Sequence, residues 1–427
     1  MVRMILGHLR SVLAFAPLAL VACGGAGEAP GTSPWISQSP GWVRQPDAGV
    51  AAATNGLVAL VWIDVAATGS SSIGYAFSRD DGATFAPPAV LASPGGAIAS
   101  DPTVTVGADQ SFSVAWVGYR VDSLGDPSDM HVYVARAMPG ATTFGAPVEV
   151  TDPADPSIYD KPWIKATSTG SLVVTYQRVT SALEIGVVMA RSDDGVIWDR
   201  ALVADDPGGT VFRNLAYACQ APDGALWVTY VTGETSFDVR VARSEDGGVT
   251  WAPEIVVSAP GDPVAFDDPS CVADDGGVWV AYGLTGDAAP YSSGTVQKLD
   301  AMVLARVTAG SATVTRTEVQ DRAASPYFMH PQLAGEASGA LDLAYYAGAS
   351  DDDSGGSFRW SHAASPATGF APSVAVGAPS VFLEDRDDPR WVGDYPGIFT
   401  RAGEVYLGYV VNASGDAHVA FSKAAAP

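Results

Sequence analysis

Ionisable side chains recur at one phase of this 427-residue chain, most of them just ahead of a proline. Arg44 precedes Pro46, Asp101 precedes Pro102, and Asp160–Lys161 precede Pro162. Asp267–Asp268 precede Pro269, His330 precedes Pro331, and Asp394–Tyr395 precede Pro396; in one further copy Arg213 precedes Asn214. These types can do chemistry: carboxylates and imidazole exchange protons, and Arg and Lys hold anions. Proline is tolerated at the first residue of a strand, so the prolines alone need no functional reading. Charges gathered by a repeat onto one face would form a concave polar pocket. The expected ligand-binding residues are Arg44, Asp101, Asp160, Lys161, Arg213, Asp268, His330 and Asp394. A hydrated channel rim is the alternative.

Those positions belong to a longer repeat. A six-residue apolar block ending in Trp or Tyr occurs seven times, ending at Trp62, Trp116, Tyr176, Tyr230, Tyr282, Tyr345 and Tyr409. The intervals are 54, 60, 54, 52, 63 and 64 residues. Periods of this order mark radial or solenoid architecture. Each copy has an extended stretch before the block, a short turn that often carries Asn-Gly or Asp-Gly, and one or two further extended runs after it. Gly-containing turns between such runs are hairpin signals. The blocks are apolar at successive positions, as strands buried on both faces are. The sequence therefore predicts an all-β fold, a β-propeller of four-stranded antiparallel blades. Seven blades are expected, with six plus an extra sheet as the alternative. The seventh copy runs out after three strands, and Pro34–Gln38 is expected to supply the fourth, closing the ring.

Residues 1–22 read as a targeting segment: Arg3 and Arg10 give a basic start, and an apolar run too short to span a membrane follows. It ends in Leu20-Val21-Ala22-Cys23, which resembles the bacterial lipobox. That resemblance implies cleavage before Cys23 and its lipidation; a plain secretory signal is the alternative. Residues 23–33 form a Gly-rich tether and 34–427 the propeller. The implied location is the bacterial cell envelope, at the outer membrane, with the lipid as the sole membrane contact and the protein a monomer.

Net charge is −24, from 47 acidic and 23 basic residues, which argues against nucleic acid as a partner. A glycan or a protein is the expected ligand. No cofactor is required; calcium is compatible with the acidic clusters Asp351–Asp353 and Asp385–Asp388, although neither has the spacing of an EF-hand. No metal-ligating residue is assigned, since two cysteines without a nearby histidine make a poor zinc set. Cys219 and Cys271 each lie 11 residues before a block-ending tyrosine, so they occupy one site in adjacent blades. A disulfide and two buried thiols both fit that placement.

Three connections between third and fourth strands carry a tighter pattern. Ser78-Arg79-Asp80-Asp81-Gly82-Ala83-Thr84-Phe85 and Ser244-Glu245-Asp246-Gly247-Gly248-Val249-Thr250-Trp251 match S-x-D-x-G-x-T-W/F, and Ser192 to Trp198 is one residue short. This is the Asp-box, or bacterial neuraminidase repeat, and through it residues 34 to 423 resemble the sialidase superfamily. Asp80, Asp194 and Asp246 are expected to be turn staples, since a carboxylate accepts bonds from turn amides and Gly supplies positive φ.

The family clamps a substrate carboxylate with three arginines and attacks with a tyrosine activated by a glutamate; an aspartate is the acid/base. By resemblance, Val43-Arg44-Gln45-Pro46 corresponds to the first arginine, Asp64 to the loop bearing the acid, and Tyr395 to the nucleophile, with Arg213 a second clamp residue. No third arginine or activating glutamate is in place, and seven copies exceed the family's six blades. The expected function is therefore a cell-envelope lipoprotein that binds a glycan or protein ligand at the channel mouth without full sialidase chemistry. The alternative is an exo-α-sialidase or other glycoside hydrolase acting through Tyr395, Asp64 and Arg44. Trp163, Trp391 and Tyr159 flank the same strand starts, where aromatic rings can stack on sugars or fill the core.

Overall fold

The computed structural model describes residues 36–37 and 42–425, apart from 124–126, 207, 210, 235, 287–298, 320–326, 336–338, 349–355, 381–389 and 413–414. Cys23 and both acidic clusters lie outside the described residues. The strands form seven antiparallel sheets; six are meanders in chain order, and in blade one Trp42–Arg44 and Gly49–Ala52 both pair with Val58–Ala66. The innermost strands are Gly49–Ala52, Ile98–Val106, Ile158–Ala166, Phe212–Gln220, Cys271–Asp274, Tyr327–Gly335 and Gly397–Arg401. The blocks form the second strands, from Val58–Ala66 in blade one to Glu404–Val411 in blade seven. The fold is thus the seven-bladed propeller, not the six-bladed alternative.

All seven block-ending aromatics are at most 2% exposed, which explains why every copy keeps a large ring there. The core is divided into slabs between neighbouring blades. One cluster joins Phe77, Phe112 and Trp116 of blades one and two; another joins Trp227, Val241 and Tyr282 of blades four and five. Both faces of each blade are therefore buried, as the apolar blocks require.

Innermost strands leave one edge without a ladder partner, and such edges need satisfaction. Hydroxyls of the preceding blade supply it. Thr103 Oγ1 donates to Pro162 O (3.2 Å) and accepts from Ile164 N (3.1 Å); Thr105 Oγ1 accepts from Ala166 N (3.1 Å). Ser270 Oγ repeats the pattern with Pro331 O and Leu333 N at 3.1 and 2.9 Å. Cys219 and Cys271 join blades four and five as a disulfide, with Cα atoms 6.0 Å apart.

The ring closes where Ala48 N donates to Tyr395 O (2.8 Å), Gln45 N donates to Ala417 O (2.8 Å), and Ala48 bridges Pro396 in parallel. Ile36 N also donates to Val419 O (2.9 Å), beside the third strand of blade seven. That contact lies where a fourth strand was expected, but among the described residues blade seven has three strands and no fourth forms at Ile36–Ser37.

Candidate functional site: a buried charged ring at one end of the channel

A β-bulge sets the geometry of the site. In blades two, three, four and six the register between the innermost and second strands slips opposite the block-ending aromatic, where two residues face one. The first bulged residue has left-handed backbone: Asp101 (φ 55°), Lys161 (54°), Leu215 (55°) and His330 (54°). For non-Gly residues this conformation costs about 1–3 kcal/mol each, and bulges of this kind re-aim side chains. Asp47 (φ 59°) takes the same place in blade one. Local hydrogen bonds and the Ala48–Pro396 bridge put Asp268 and Tyr395 in the equivalent places of blades five and seven. The layer thus reads Asp47, Asp101, Lys161, Leu215, Asp268, His330, Tyr395.

Side chains one residue earlier cap the bulge. Asp160 Oδ1 accepts from Lys161 N (2.9 Å), Asn214 Oδ1 from Leu215 N (2.7 Å), and Asp267 Oδ1 from Asp268 N (2.8 Å). Ionic contacts then cross the ring. Lys161 Nζ lies 2.7 Å from both Asp101 Oδ1 and Asp394 Oδ2, with all three side chains no more than 8% exposed. Its ammonium also sits 5.0 Å from the centre of the Tyr395 ring. Asp47 Oδ1 accepts from Asp394 N at 2.6 Å. His330 is gripped twice by Asp267, through its backbone N and its Nδ1, at 2.9 Å each.

Burial and neighbouring charges shift three of these groups. Asp47 is pushed up to about 8, first by loss of solvent and then by the charges of Asp394 and Asp101. Asp268 is raised well above the carboxylate range by burial and by Asp267. Burial opposes the His330 imidazolium, but the charge and hydrogen bond of Asp267 outweigh it and carry the pKa to about 9. The ring is a packed, largely self-neutralised lock across one end of the channel, and not the open polar pocket expected there.

The structure brings Asp101, Asp160, Lys161, Asp268, His330, Asp394 and Tyr395 together, and adds Asp47 and Asp267. It does not bring Arg44 and Arg213 into the layer. Arg44 pairs opposite Val65, three residues past the block-ending aromatic, and is buried at the place Ile98 takes in blade two. Arg213 precedes the bulged Leu215 by two residues; its Nη1 donates to Glu254 (2.9 Å), which also accepts from Tyr230 and Arg240. Asp64 lies within the second strand of blade one and not in a loop; it is fully buried and accepts from Trp62 Nε1 at 2.9 Å. Tyr159 packs against Tyr176 in the core.

A spacing rule in the sequence marks the layer better than proline does. Asp47, Asp101, Lys161, Leu215 and His330 each lie fifteen residues before their block-ending aromatic, whereas Arg44 and Arg213 lie eighteen and seventeen before theirs. In blades five and seven, Asp268 and Tyr395 lie fourteen before.

At the opposite face, Asp80 accepts from Thr84 Oγ1 (2.6 Å), Thr84 N (2.8 Å) and Ser78 Oγ (2.7 Å), which hold its pKa down to about 2. Asp246 repeats this set with Thr250 and Ser244, and Asp194 accepts from Ile197 N, Val196 N and Ser192 Oγ. Among the described residues, no group of three or more His, Cys, Asp or Glu is placed to hold a metal ion.

No protein-family model and no curated protein matches this sequence. Solved structures do match. The Hadza microbial sialidase Hz136 is 16% identical with a TM-score of 0.50, covering 71% of this chain and 64% of its own. The sialidase of Trypanosoma rangeli, in complex with 2,3-difluorosialic acid, is 13% identical at 0.50, covering 89% and 54%. An ulvan lyase, a polysaccharide lyase bound to -[GlcA(1-4)Rha3S]-, is 9% identical at 0.58, covering 90% and 95%.

This chain has a sialidase-like β-propeller fold. At such identities the likeness carries the fold, and fold alone does not carry chemistry. The environment of Tyr395 matters most to the sialidase-like comparison. Burial raises its phenol well above the usual tyrosine range, and Asp268, Asp101 and Asp394 add to this against the opposing Lys161. A tyrosine nucleophile needs the reverse, a base that removes its proton.

Proposed function

We propose that the protein is a carbohydrate-binding propeller without sialidase catalysis, held at the bacterial cell envelope by a lipid on Cys23. The observation that carries this reading is the burial of Tyr395 in the closed ring, 4% exposed, which raises its phenol above the usual tyrosine range even with the Lys161 ammonium 5.0 Å from the ring centre. Two companions point the same way: Arg213 is engaged by Glu254, and Asp64 by the Trp62 indole. Propeller relatives that act on sialosides and on a uronate-containing polysaccharide support carbohydrate as the ligand class. Within the channel, Trp163 and Tyr217 stack with centroids 3.9 Å apart and offer the apolar surface that sugar rings favour.

The test pairs a glycan array, probed with the purified protein, with a fluorogenic sialoside assay. The reading expects retention of a defined glycan set and no release of fluorophore. Release that is abolished by Tyr395→Phe establishes the exo-sialidase alternative instead; a blank array removes the carbohydrate reading.

A further inference from the structure

Beneath the charged ring lies a cavity of about 360 Å³, lined by the innermost strands of all seven blades. That volume is in the range of small-ligand sites, roughly 300–1,000 Å³. One layer below the ring are Trp163, Tyr217 and Gln332, each two residues past its bulged residue. Two residues further along blade three, Lys165 lines the same space.

Half-buried Lys165 differs from three cations that are held by carboxylates. Lys161 is paired with Asp101 and Asp394, Arg213 with Glu254, and Arg401 with Asp81. The Lys165 ammonium makes no ion pair or hydrogen bond with any described residue, while its backbone pairs with Val173 in the ladder, in a chain with twice as many acids as bases. It lies four residues from Lys161, about 13 Å along an extended strand, so the ring carboxylates do not reach it. Burial by the surrounding strands lowers its pKa, and no neighbouring charge contributes. Gln332 is a second, independent signal: it is 1% exposed, lines the cavity, and its Nε2 has no partner among the described residues. Buried amide groups normally find acceptors.

We propose that this cavity binds an acidic monosaccharide, a ring-sized ligand with one carboxylate. Lys165 holds the carboxylate, Gln332 Nε2 donates to a ring substituent, and the Trp163–Tyr217 pair forms the apolar wall. Lys165, Ala273, Gly335 and Thr400, near the far ends of the innermost strands, are half-buried, whereas the ring is closed. The ligand therefore enters from the face that carries the Asp80, Asp194 and Asp246 turns, opposite the face expected from the sequence. The ligand class rests on the carbohydrate reading; the position rests on Lys165 and Gln332.

Calorimetric titration of the purified full-length protein with glucuronate, glucose and sodium sulfate tests it. Glucuronate is expected to bind, with glucose and sulfate weaker by about tenfold or more. Lys165→Met, which keeps the stem and removes the charge, should weaken glucuronate by about tenfold or more with the unfolding transition retained. Lys165→Arg should keep most of the binding, and Gln332→Leu should weaken it by several-fold. Absence of glucuronate binding, wild-type affinity in Lys165→Met, or sulfate binding as tightly as glucuronate overturns the proposal. If Lys165→Met does not fold, Gln332→Leu and the ligand ranking on the native protein still decide. Extended glycans retained on the array without glucuronate binding defeat the cavity proposal alone; if neither binds, the carbohydrate reading falls with it.

Discussion

Asp80 and Asp47 are the same residue type at opposite ends of one propeller blade, and their surroundings drive them in opposite directions. Asp80 sits in an exposed turn, where the hydroxyl and amide of Thr84 and the Ser78 hydroxyl hold its carboxylate charged, with a pKa down to about 2. Asp47 sits in the charged ring, where burial and two neighbouring carboxylates push it up to about 8. The residue with the conspicuous sequence pattern is a turn staple. The one without any local pattern helps close the channel. Recurrent patterns mark what folding reuses, in this case in three of the blades, while the site is built at a shared position whose residue type differs from blade to blade.

Lys161→Met should disturb the ring most. It leaves Asp101 and Asp394 buried without their cation, and stripping one partner from a buried pair costs about 3–5 kcal/mol. Urea unfolding of the variant should show a loss of that size, and the triple change with Asp101→Asn and Asp394→Asn should recover much of it. A loss no larger than that of an exposed substitution would mean the ring does not hold the blades together.

A smaller effect comes from pH, and the two regions should respond with opposite signs. Between about pH 4 and 8 the folded state keeps a proton on Asp47 that the unfolded chain has released, so stability falls as pH rises through that window. The His330 contribution is complete below about 6.5 and is lost as pH rises through about 9. The Asp80 contribution is present above about 4 and is lost as pH falls towards 2. Thermal unfolding midpoints should therefore decline from pH 5 to pH 9, and Asp47→Asn should flatten that decline. An unchanged slope in Asp47→Asn would show that its carboxyl is not held protonated.

The smallest effect belongs to Asp80→Ala. The exposed turn should loosen, with a slight fall in the unfolding midpoint at pH 7 and none in glycan retention. Loss of glycan retention without unfolding would make this turn part of a binding site and erase the contrast.

The fold was largely legible because its determinants are repeated: the seven buried aromatics and the Asp-Gly turns recur at blade spacing. The site was legible in part. Asp101, Lys161, His330 and Tyr395 could be found because a proline follows each of them. Asp47 was missed because in blade one the proline precedes it, and Ala48 takes the place of Pro102. Arg213 stands out in the sequence at blade four because the bulge there carries Leu215, which has no ionisable group. Nothing local in the sequence indicates that the Lys165 ammonium meets no polar partner among the described residues or that the ring closes the expected mouth. Both follow from which side chains meet across the channel, and those contacts join residues as far apart as Lys161 and Asp394.

The proposed function requires the channel to bind a glycan and leave it uncleaved. Its most direct test is to incubate the protein with a glycan that the array retains, then measure the intact mass of the protein and the composition of the eluted glycan. An unmodified protein and an intact glycan are expected. A covalent adduct on Tyr395, or a shortened glycan, would contradict it.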